Sequence, residues 1–379
     1  MIEIVEMEPT GTVIKVIGVG GAGGNAVDHM IREGVQGVEF ICANTDAQAL
    51  NSALAPAKVQ LGNSGLGAGA KPEAGRAAAL ECREQIAQAL DGAHMVFITA
   101  GMGGGTGTGA APVVAEIARE LGVLTVAVVT KPFDFENRFR VADSGIEELS
   151  KHVDSLIVVL NDKLMEVYGE EASMEDCFRS ADDVLRKAVG GIAEIINVRG
   201  LVNVDFQDVR TLMAEMGRAM MGSAEASGMD RARIAAEQAA ASPLLEGVEL
   251  SGARGVLINI TASRSLKMSE VREAVQTVRA FAMEEATIFY GTVFDESMED
   301  RIRVTVLATG LGTKRAQARQ PVMQVIKTGT DNIGMEVDYA DRDVPAVFRR
   351  QQRSSTADAM SANGYGTYDI PAFLRKQAD

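Results

Sequence analysis

The sequence is poor in the residues that most often mark metal and redox sites. Its 379 residues include no tryptophan, three histidines and three cysteines. Cys42, Cys82 and Cys177 are far apart and odd in number, which excludes a disulfide framework and a cysteine metal motif. The scattered histidines likewise disfavour a histidine-rich metal site. We therefore predict buried thiols in a reducing compartment and no metal site of the chain's own.

Long apolar runs and an excess of positive charge are missing as well. No stretch approaches the roughly 20 apolar residues of a membrane span, and the acidic start MIEIVEMEPTG lacks the basic region of a signal peptide. The net charge of −15 disfavours broad contact with nucleic acid or anionic lipid. We predict a cytoplasmic protein without direct membrane insertion, in which backbone geometry rather than a basic surface holds any anionic ligand.

Glycine, in contrast, is concentrated in one stretch. In AGMGGGTGTGAAP, residues 100–112, six of the nine residues from Gly101 to Gly109 are glycine. The stretch joins the apolar run HMVFIT to the helical run AAPVVAEIARELG. Free N–H groups and the helix dipole attract an anion at such a junction, and glycines let a phosphate approach the backbone. The alternative is a tight turn without a ligand. The candidate anion-binding groups of this loop are the backbone N–H groups of glycines such as Gly104 and the hydroxyls of Thr106 and Thr108.

A second glycine loop lies in VIKVIGVGGAGGNAV, near the N-terminus. Gly18, Gly20 and Gly23 match the dinucleotide fingerprint, a weak signal by itself. Two glycine loops on two strands of one sheet suit a triphosphate better than a pyrophosphate, and the GxxxxGK[ST] motif of P-loop NTPases is absent. The glycine-rich stretch GLGAGAKPEAG, residues 65–75, is a third candidate near the terminal phosphate.

The order of apolar and helical patterns indicates two structured regions and a tail. Near-continuous apolar strands such as HMVFITA and VLTVAVVTKPF alternate with helical patterns at 72–90, 110–121 and 137–150, which is typical of a parallel α/β domain. Beyond a long helical pattern, the order helix, helix, strand, helix, strand, strand indicates a smaller α+β domain. The predicted segments are an N-terminal extension at 1–11, the α/β domain at 12–173, the central helix at 174–198, the α+β domain at 199–312, a disordered linker at 313–365 and a C-terminal peptide at 366–379.

At GGGTGTG the sequence closely resembles the FtsZ family of bacterial, tubulin-like cell-division GTPases. The segments NTDAQAL, KPFDFE, LNDKL, NVDFQDVRTLMAEMG and DIPAFLRKQAD resemble the family too, in the family's order. The resemblance implies a tubulin-like fold that binds GTP or GDP, with Mg²⁺ accompanying the nucleotide. It places Glu136 and Arg140 at the ribose and Phe178 and Asp182 at the guanine. Its first nucleotide loop comprises Gly20, Gly21, Ala22, Gly23, Gly24 and Asn25. The resemblance also places Gly105, Thr106 and Gly107 at the phosphates.

The sequence departs from the family pattern in places, and two of these departures leave assignments open. Ala22 replaces a usual glycine, which is tolerable if its φ is negative. The segment after Arg140 is about two residues short, so Arg138 is an alternative ribose contact. Asp183 competes with Asp182 for the base. A carboxylate accepts hydrogen bonds from N1–H and the exocyclic amine of guanine, a donor pair that adenine lacks.

The segment NVDFQDV supplies Asn203, Asp205 and Asp208 as candidate catalytic residues. The two carboxylates are spaced i, i+3 and share a face if a helix begins there. They would position the attacking water, with Asn203 orienting it. The alternative is that an aspartate near a helix start only caps it. Because the central helix separates this segment from Phe178 by roughly 30 Å, we predict that a neighbouring copy supplies the acids in a head-to-tail filament.

The C-terminal peptide has the pattern of a short docking helix. Asp369 is a candidate cap, Pro371 suits a first turn, and Ile370, Phe373 and Leu374 share an apolar face. The resemblance implies membrane-tethering division proteins and regulators as partners, at the mid-cell division site beneath the inner membrane.

Two other functions compete with a self-assembling GTPase. A nicotinamide-dependent oxidoreductase would use the 18–23 fingerprint, with Asp46 at the ribose. A scaffold gated by GTP would bind the nucleotide without turnover. The first alternative leaves GGGTGTG and NVDFQDV without a role.

Overall fold

The computed structural model describes residues 11–168, 173–197, 200, 202, 204–213, 217–241, 253–283 and 285–311. Four predictions therefore lie outside the described residues. They are the N-terminal extension at 1–11 apart from residue 11, the role of Asn203, the linker at 313–365 and the peptide at 366–379, which carries Asp369, Ile370, Pro371, Phe373 and Leu374.

The ten described strands form one sheet, in the order β3-β2-β1-β4-β5-β6-β7-β10-β8-β9. The six N-terminal strands are parallel, as the sequence predicts, whereas β10 runs antiparallel to both β7 and β8. The strands are β1 (Ile14–Val19), β2 (Glu39–Asn44), β3 (Ala57–Gln60), β4 (Met95–Gly101), β5 (Leu124–Lys131), β6 (Ser155–Leu160), β7 (Gly217–Ala226), β8 (Gly255–Ala262), β9 (Thr287–Phe294) and β10 (Ile302–Leu311).

Helices cover both faces of the sheet. Neighbouring residues of β1 belong to different core clusters, Val16 to one and Ile17 to the other, so both faces of that strand are buried. This explains why the strands are continuous apolar runs. The described helices are α1 (Gly20–Arg32), α2 (Ala47–Ser52), α3 (Pro72–Glu81), α4 (Arg83–Leu90), α5 (Thr106–Glu120), α6 (Phe139–Ser150), α7 (Asn161–Tyr168), α8 (Met174–Asn197), α9 (Phe206–Met213), α10 (Arg231–Ala240) and α11 (Met268–Phe281). No described helix combines the length and the apolar character that crossing a membrane requires.

Strand β7 is absent from the sequence-based prediction. Its sequence, GRAMMGSAEA, contains no β-branched or aromatic residue and so has low strand propensity. It is a strand because it pairs along most of its length with β10 and, from Ser155↔Gly217 to Ile157↔Ala219, with β6. The pairing with β6 joins the two halves of the sheet, and a third core cluster under α10 and α11 covers the second half.

Two predicted helices differ from the observed ones at their boundaries. The pattern at 72–90 forms two helices, because the helical conformation is interrupted at Cys82. The Cys82 thiol there donates to the Gln60 carbonyl at 3.3 Å and accepts from the Gly62 N–H at 3.2 Å. Helix α5 begins at Thr106 rather than at residue 110, so the glycine loop leads directly into its first turn. Helix α8 has 24 residues and is therefore about 36 Å long.

Candidate functional site

The two glycine loops lie side by side, because they follow the adjacent strands β1 and β4. Gly20 adopts a φ of +77°, a conformation that side chains disfavour. A Cβ at Gly20 would lie 3.0 Å from the Gly107 nitrogen and 3.3 Å from the Thr106 Cβ. A larger residue at this position would therefore force the loops apart.

Both loops present the open end of a helix. Helix α1 begins at Gly20 and α5 at Thr106, and in the described part of the chain no side chain caps either start. The first N–H groups of each helix have no partner within that helix. Together with the helix dipoles they make this corner of the sheet suited to binding an anion.

The glycines of these loops fall into two groups. A Cβ on Gly109 would lie 1.9 Å from the Pro72 carbonyl oxygen, and one on Gly107 would lie 2.5 Å from that of Gly101. These two allow close backbone packing. A Cβ on Gly21 or Gly104 would meet nothing within 4 Å. Packing therefore does not explain why residues 21 and 104 are glycine. The open space beside them is large enough for a ligand to approach the backbone.

A cavity of ≈ 250 Å³ lies between the loops. Among the described residues that line it, Arg138 is the one cation and Glu136 the one carboxylate, so charge alone does not account for anion binding. Its lining comprises Val19, Gly21, Ala22, Gly101, Met102, Gly104, Gly105, Thr106, Gly107, Thr130, Pro132, Glu136, Arg138, Asn161 and Phe178.

Phe178, near the start of α8, joins this cavity to a second one of ≈ 360 Å³. Its ring packs edge-to-face with that of Phe133, with centroids 5.4 Å apart, and Phe133 stacks on Phe135. Phe178 remains 38% exposed, which leaves ring surface free to stack on a base. The second cavity is lined by Asn25, Asp28, His29, Arg32, Glu175, Phe178, Arg179 and Asp182.

Asp182 and Asp183 have opposite environments. Burial raises the pKa of Asp182 to about 7, partly opposed by the charge of Arg32. Its carboxylate has no hydrogen bond within the described residues. Burial also opposes ionisation of Asp183, but hydrogen bonds from Lys187 and Arg186, at 2.9 and 2.8 Å, outweigh it and lower the pKa. Of the two, Asp182 faces the cavity with free acceptors, which favours it as the guanine contact.

The two candidate ribose arginines are also separated. Arg138 lines the first cavity. Arg140 lies on α6 and lines a different hollow, together with Arg76 and Glu148. Arg138 is therefore the better candidate for the ribose contact. Glu136 lines the first cavity as well, with its Oε1 accepting the Phe133 N–H at 3.0 Å.

Of the remaining loop residues, some line the first cavity and others stabilise the loop itself. The hydroxyl of Thr106 lies 2.6 Å from that of Thr45, whereas the buried Thr108 hydroxyl accepts the Gly103 N–H at 2.9 Å and braces the loop. Ala22 is not among the described non-glycine residues with positive φ. The residues predicted at the nucleotide that line neither cavity are Gly20, Gly23, Gly24, Thr108, Arg140 and Asp183.

The stretch 65–75 supports the site without lining either cavity. A Cβ on Gly105 would lie 2.9 Å from both the Ala68 Cβ and the Lys71 nitrogen. The stretch therefore packs directly behind the second glycine loop.

Asn161 is a cavity residue that sequence reasoning missed. It follows β6 directly, is 4% exposed, and lines the first cavity. Its Oδ1 has no hydrogen-bond partner among the described residues, so a ligand hydroxyl or N–H would satisfy it. The signal was a buried polar residue at the carboxyl end of a parallel strand, in LNDKL.

The two acids of NVDFQDV stand apart from both cavities. Asp205 is exposed, and its Oδ1 accepts the Asp208 N–H at 2.8 Å at the start of α9. The helix does begin there, so the predicted i, i+3 spacing places both acids at its first turn. No residue from 204–213 lines either cavity.

Comparison with known proteins identifies the family. A model of the Tubulin/FtsZ family, GTPase domain, matches residues 13–169, and one of the FtsZ family, C-terminal domain, matches residues 217–312. The chain belongs to the FtsZ family. The cell division protein FtsZ of Pseudomonas aeruginosa is 53% identical over 397 residues, covering 100% of both chains. That of Coxiella burnetii is 51% identical, covering 99% of each. A solved structure described as an empty FtsZ dimer from M. jannaschii has a TM-score of 0.76 at 44% identity, covering 80% of this chain and 89% of that one.

Membership of the FtsZ family makes the chain a tubulin-like GTPase of cell division and confirms the resemblance. The oxidoreductase alternative was wrong. Asp46, its candidate ribose ligand, instead caps α2, with its Oδ1 accepting the N–H groups of Gln48 and Ala49 at 2.9 and 3.1 Å.

The two groups of glycines predict different defects. Gly104→Ala adds a methyl group in open space, so we expect an unchanged melting temperature but at least a roughly tenfold weaker affinity for GTP, about 1.4 kcal/mol. Gly109→Ala forces a clash with α3 and should cost roughly 1–3 kcal/mol of stability. Thermal unfolding without nucleotide and GTP titration measure the two effects. Normal GTP binding by Gly104→Ala would contradict the phosphate assignment.

Proposed function

We propose that the chain binds GTP across the two cavities and hydrolyses it where two copies meet head to tail. The phosphates lie against Gly21, Ala22 and the 104–107 loop, where the free amides of α1 and α5 meet. Glu136, Arg138 and Asn161 contact the ribose. The base stacks on Phe178 and donates to Asp182.

Mg²⁺ enters this site with the nucleotide. The first cavity offers oxygen donors that suit a hard cation, among them the hydroxyls of Thr106 and Thr130, the Glu136 carboxylate and the Asn161 Oδ1. Mg²⁺ usually takes most of its ligands from phosphates and water, so a protein cage is not required. Bound there, it would neutralise charge on the β- and γ-phosphates.

One observation carries the two-subunit proposal: the cavities are lined by residues in the first turns of α8, such as Phe178, whereas the acids of α9 follow the other end of that helix, at Asn197. From Phe178 to Asn197, at 1.5 Å per residue, is about 28 Å, so the acids of one chain do not reach its own nucleotide. A head-to-tail contact would bring Asp205 and Asp208 of one copy to the γ-phosphate of the next. There they would accept hydrogen bonds from the attacking water, and Asn203 would orient it.

Such a contact uses different surfaces on the two copies and repeats without closing, so it generates filaments. Self-association agrees with the dimer described for the M. jannaschii relative. We further propose that the filaments assemble in the cytoplasm at the mid-cell division site, where the apolar face of Ile370, Phe373 and Leu374 docks on membrane-tethering proteins and regulators.

The total rate of GTP turnover should rise more than linearly with protein concentration, so the rate per subunit should increase with concentration and level off once most subunits are in filaments. A scaffold without turnover would release no phosphate, and a self-sufficient subunit would give a constant rate per subunit. Phosphate release across a concentration series is the measurement. The chain lacking residues 366–379 is the matched control: its curve should be unchanged while its binding to division partners is lost. A lower turnover in the truncated chain would refute this division of labour.

A further inference from the structure

The segment that carries the two acids is anchored to the rest of the protein at every second residue, at Val202, Val204 and Phe206. Val202 lies against β9, Val204 is buried in the core at 4% exposure, and the Phe206 ring meets the His94 ring edge-on at 6.1 Å. Asp205, between two of these anchors, is exposed. The anchors therefore determine where the carboxylates stand.

The contact with β9 centres on Thr292. The Val202 N–H donates to the Thr292 Oγ1 at 3.2 Å, and the Thr292 N–H donates to the Val202 carbonyl at 3.1 Å. Thr292 is 3% exposed and Val202 is half-buried, so water reaches these groups only from the Val202 side. A Cβ on the adjacent Gly291 would lie 3.5 Å from the Val202 oxygen, which shows how closely the segment follows the strand.

The Thr292 hydroxyl accepts a hydrogen bond that an apolar side chain of similar shape cannot accept. Valine has nearly the same shape but would leave the Val202 N–H facing a methyl group in a partly buried site. The segment would shift to find another acceptor, and Asp205 is only three residues further along. Displacing a catalytic group by about 1 Å costs up to roughly 10²-fold in rate.

We propose that Thr292 is a positioning residue for GTP hydrolysis: its hydroxyl fixes Val202 and thereby sets where Asp205 and Asp208 meet the neighbour's nucleotide. The proposal rests on the proposed function, in which these acids act in trans. Thr292 does not touch the nucleotide of its own chain, since no residue of β9 lines either cavity.

The test compares Thr292→Val with Thr292→Ser, which keeps the hydroxyl. Thr305→Val is the matched control, because Thr305 is also buried, on β10, and its hydroxyl lies 3.0 Å from that of Ser223. We expect Thr292→Val to lower GTP turnover per pelleted polymer by roughly tenfold or more, with GTP affinity unchanged and a melting temperature close to that of Thr305→Val. Thr292→Ser should recover most of the turnover, and Thr292→Val filaments should outlast wild-type filaments.

The outcomes separate the two proposals. Wild-type turnover in Thr292→Val, with turnover lost in Asp205→Asn, overturns the role of Thr292 and leaves hydrolysis in trans standing. Full turnover in Asp205→Asn and Asp208→Asn overturns the proposed function itself. A melting temperature far below that of Thr305→Val, together with no recovery in Thr292→Ser, shows that Thr292 only supports the fold.

Discussion

Asp205→Asn and Asp208→Asn are expected to lower GTP turnover by roughly 10²- to 10⁴-fold and to leave the affinity of the subunit for GTP unchanged. Neither carboxylate lines the cavities of its own chain, so neither should affect binding there. In the filament, each loss removes an acceptor that holds the attacking water on the neighbour's γ-phosphate. GTP titration of unassembled subunits and phosphate release from pelleted polymer measure the two quantities.

Substitution by asparagine at position 205 distinguishes the proposed catalytic role of the Asp205 carboxylate from its role as a helix cap. Asp205 Oδ1 accepts the Asp208 N–H at 2.8 Å, so the residue also caps α9. Asparagine caps about as well as aspartate, whereas alanine loses about 0.5–2 kcal/mol. If capping were its whole contribution, Asp205→Asn would turn over GTP normally and Asp205→Ala would only melt earlier. Full turnover in Asp208→Asn would likewise remove Asp208 from the mechanism.

Local patterns predicted the junctions of strand, glycine loop and helix well, because the signal and the structure lie in the same stretch. A glycine run between an apolar strand and a helix is one such pattern, and α5 does begin inside it, at Thr106. Strand β7 shows the opposite case. Nothing in GRAMMGSAEA favours a strand, and its conformation depends on pairing with β10, which is remote in sequence, from Ile302↔Ala226 to Leu311↔Arg218.

The choice between Asp182 and Asp183 shows a second limit. Adjacent residues of a helix point about 100° apart, given 3.6 residues per turn, and the sequence does not say which direction meets the ligand. The structure separates them because Asp183 pairs with Arg186 and Lys187 one turn along α8, and Asp182 is left facing the cavity. Asn161 was missed for a related reason, since its role depends on the neighbouring loops.

Asp182→Asn should stabilise the nucleotide-free protein and weaken its affinity for GTP. Burial holds the pKa of Asp182 at about 7, above its ordinary value of 3.8. The native chain therefore keeps a proton that the unfolded chain releases, and this carboxyl makes the protein less stable as pH rises from about 4 to about 7. Asparagine carries no such cost, so at pH 8 we expect a gain on the order of 1–3 kcal/mol in denaturant unfolding. A catalytic or merely structural carboxylate would not combine this gain with a roughly 10- to 100-fold loss of GTP affinity.

The same pKa predicts how GTP binding responds to pH. In the proposed site guanine would donate two hydrogen bonds to the ionised carboxylate, so binding would require Asp182 to lose its proton. From a free pKa of about 7, affinity should rise about tenfold between pH 6 and pH 8. The triphosphate also titrates in this range, and Asp182→Asn, measured alongside, isolates the contribution of the carboxyl. Identical pH profiles in the two proteins would show that Asp182 does not contact the base.

The Asp182→Asn variant also provides a direct test of hydrolysis in trans. Xanthine carries a carbonyl where guanine carries its exocyclic amine, so the new side-chain amide would donate to that carbonyl and accept from N1–H. The variant should therefore prefer xanthosine triphosphate to GTP.

Combined with Asp208→Asn, the Asp182→Asn variant has a pocket for xanthosine triphosphate but lacks one of the two acids. Alone, this double variant should not hydrolyse that nucleotide. Mixed into filaments of wild-type subunits supplied with GTP, it should do so, because each altered pocket then meets the intact acids of a wild-type neighbour. If a chain supplied its own acids, mixing would restore nothing, and the two-subunit site would be refuted.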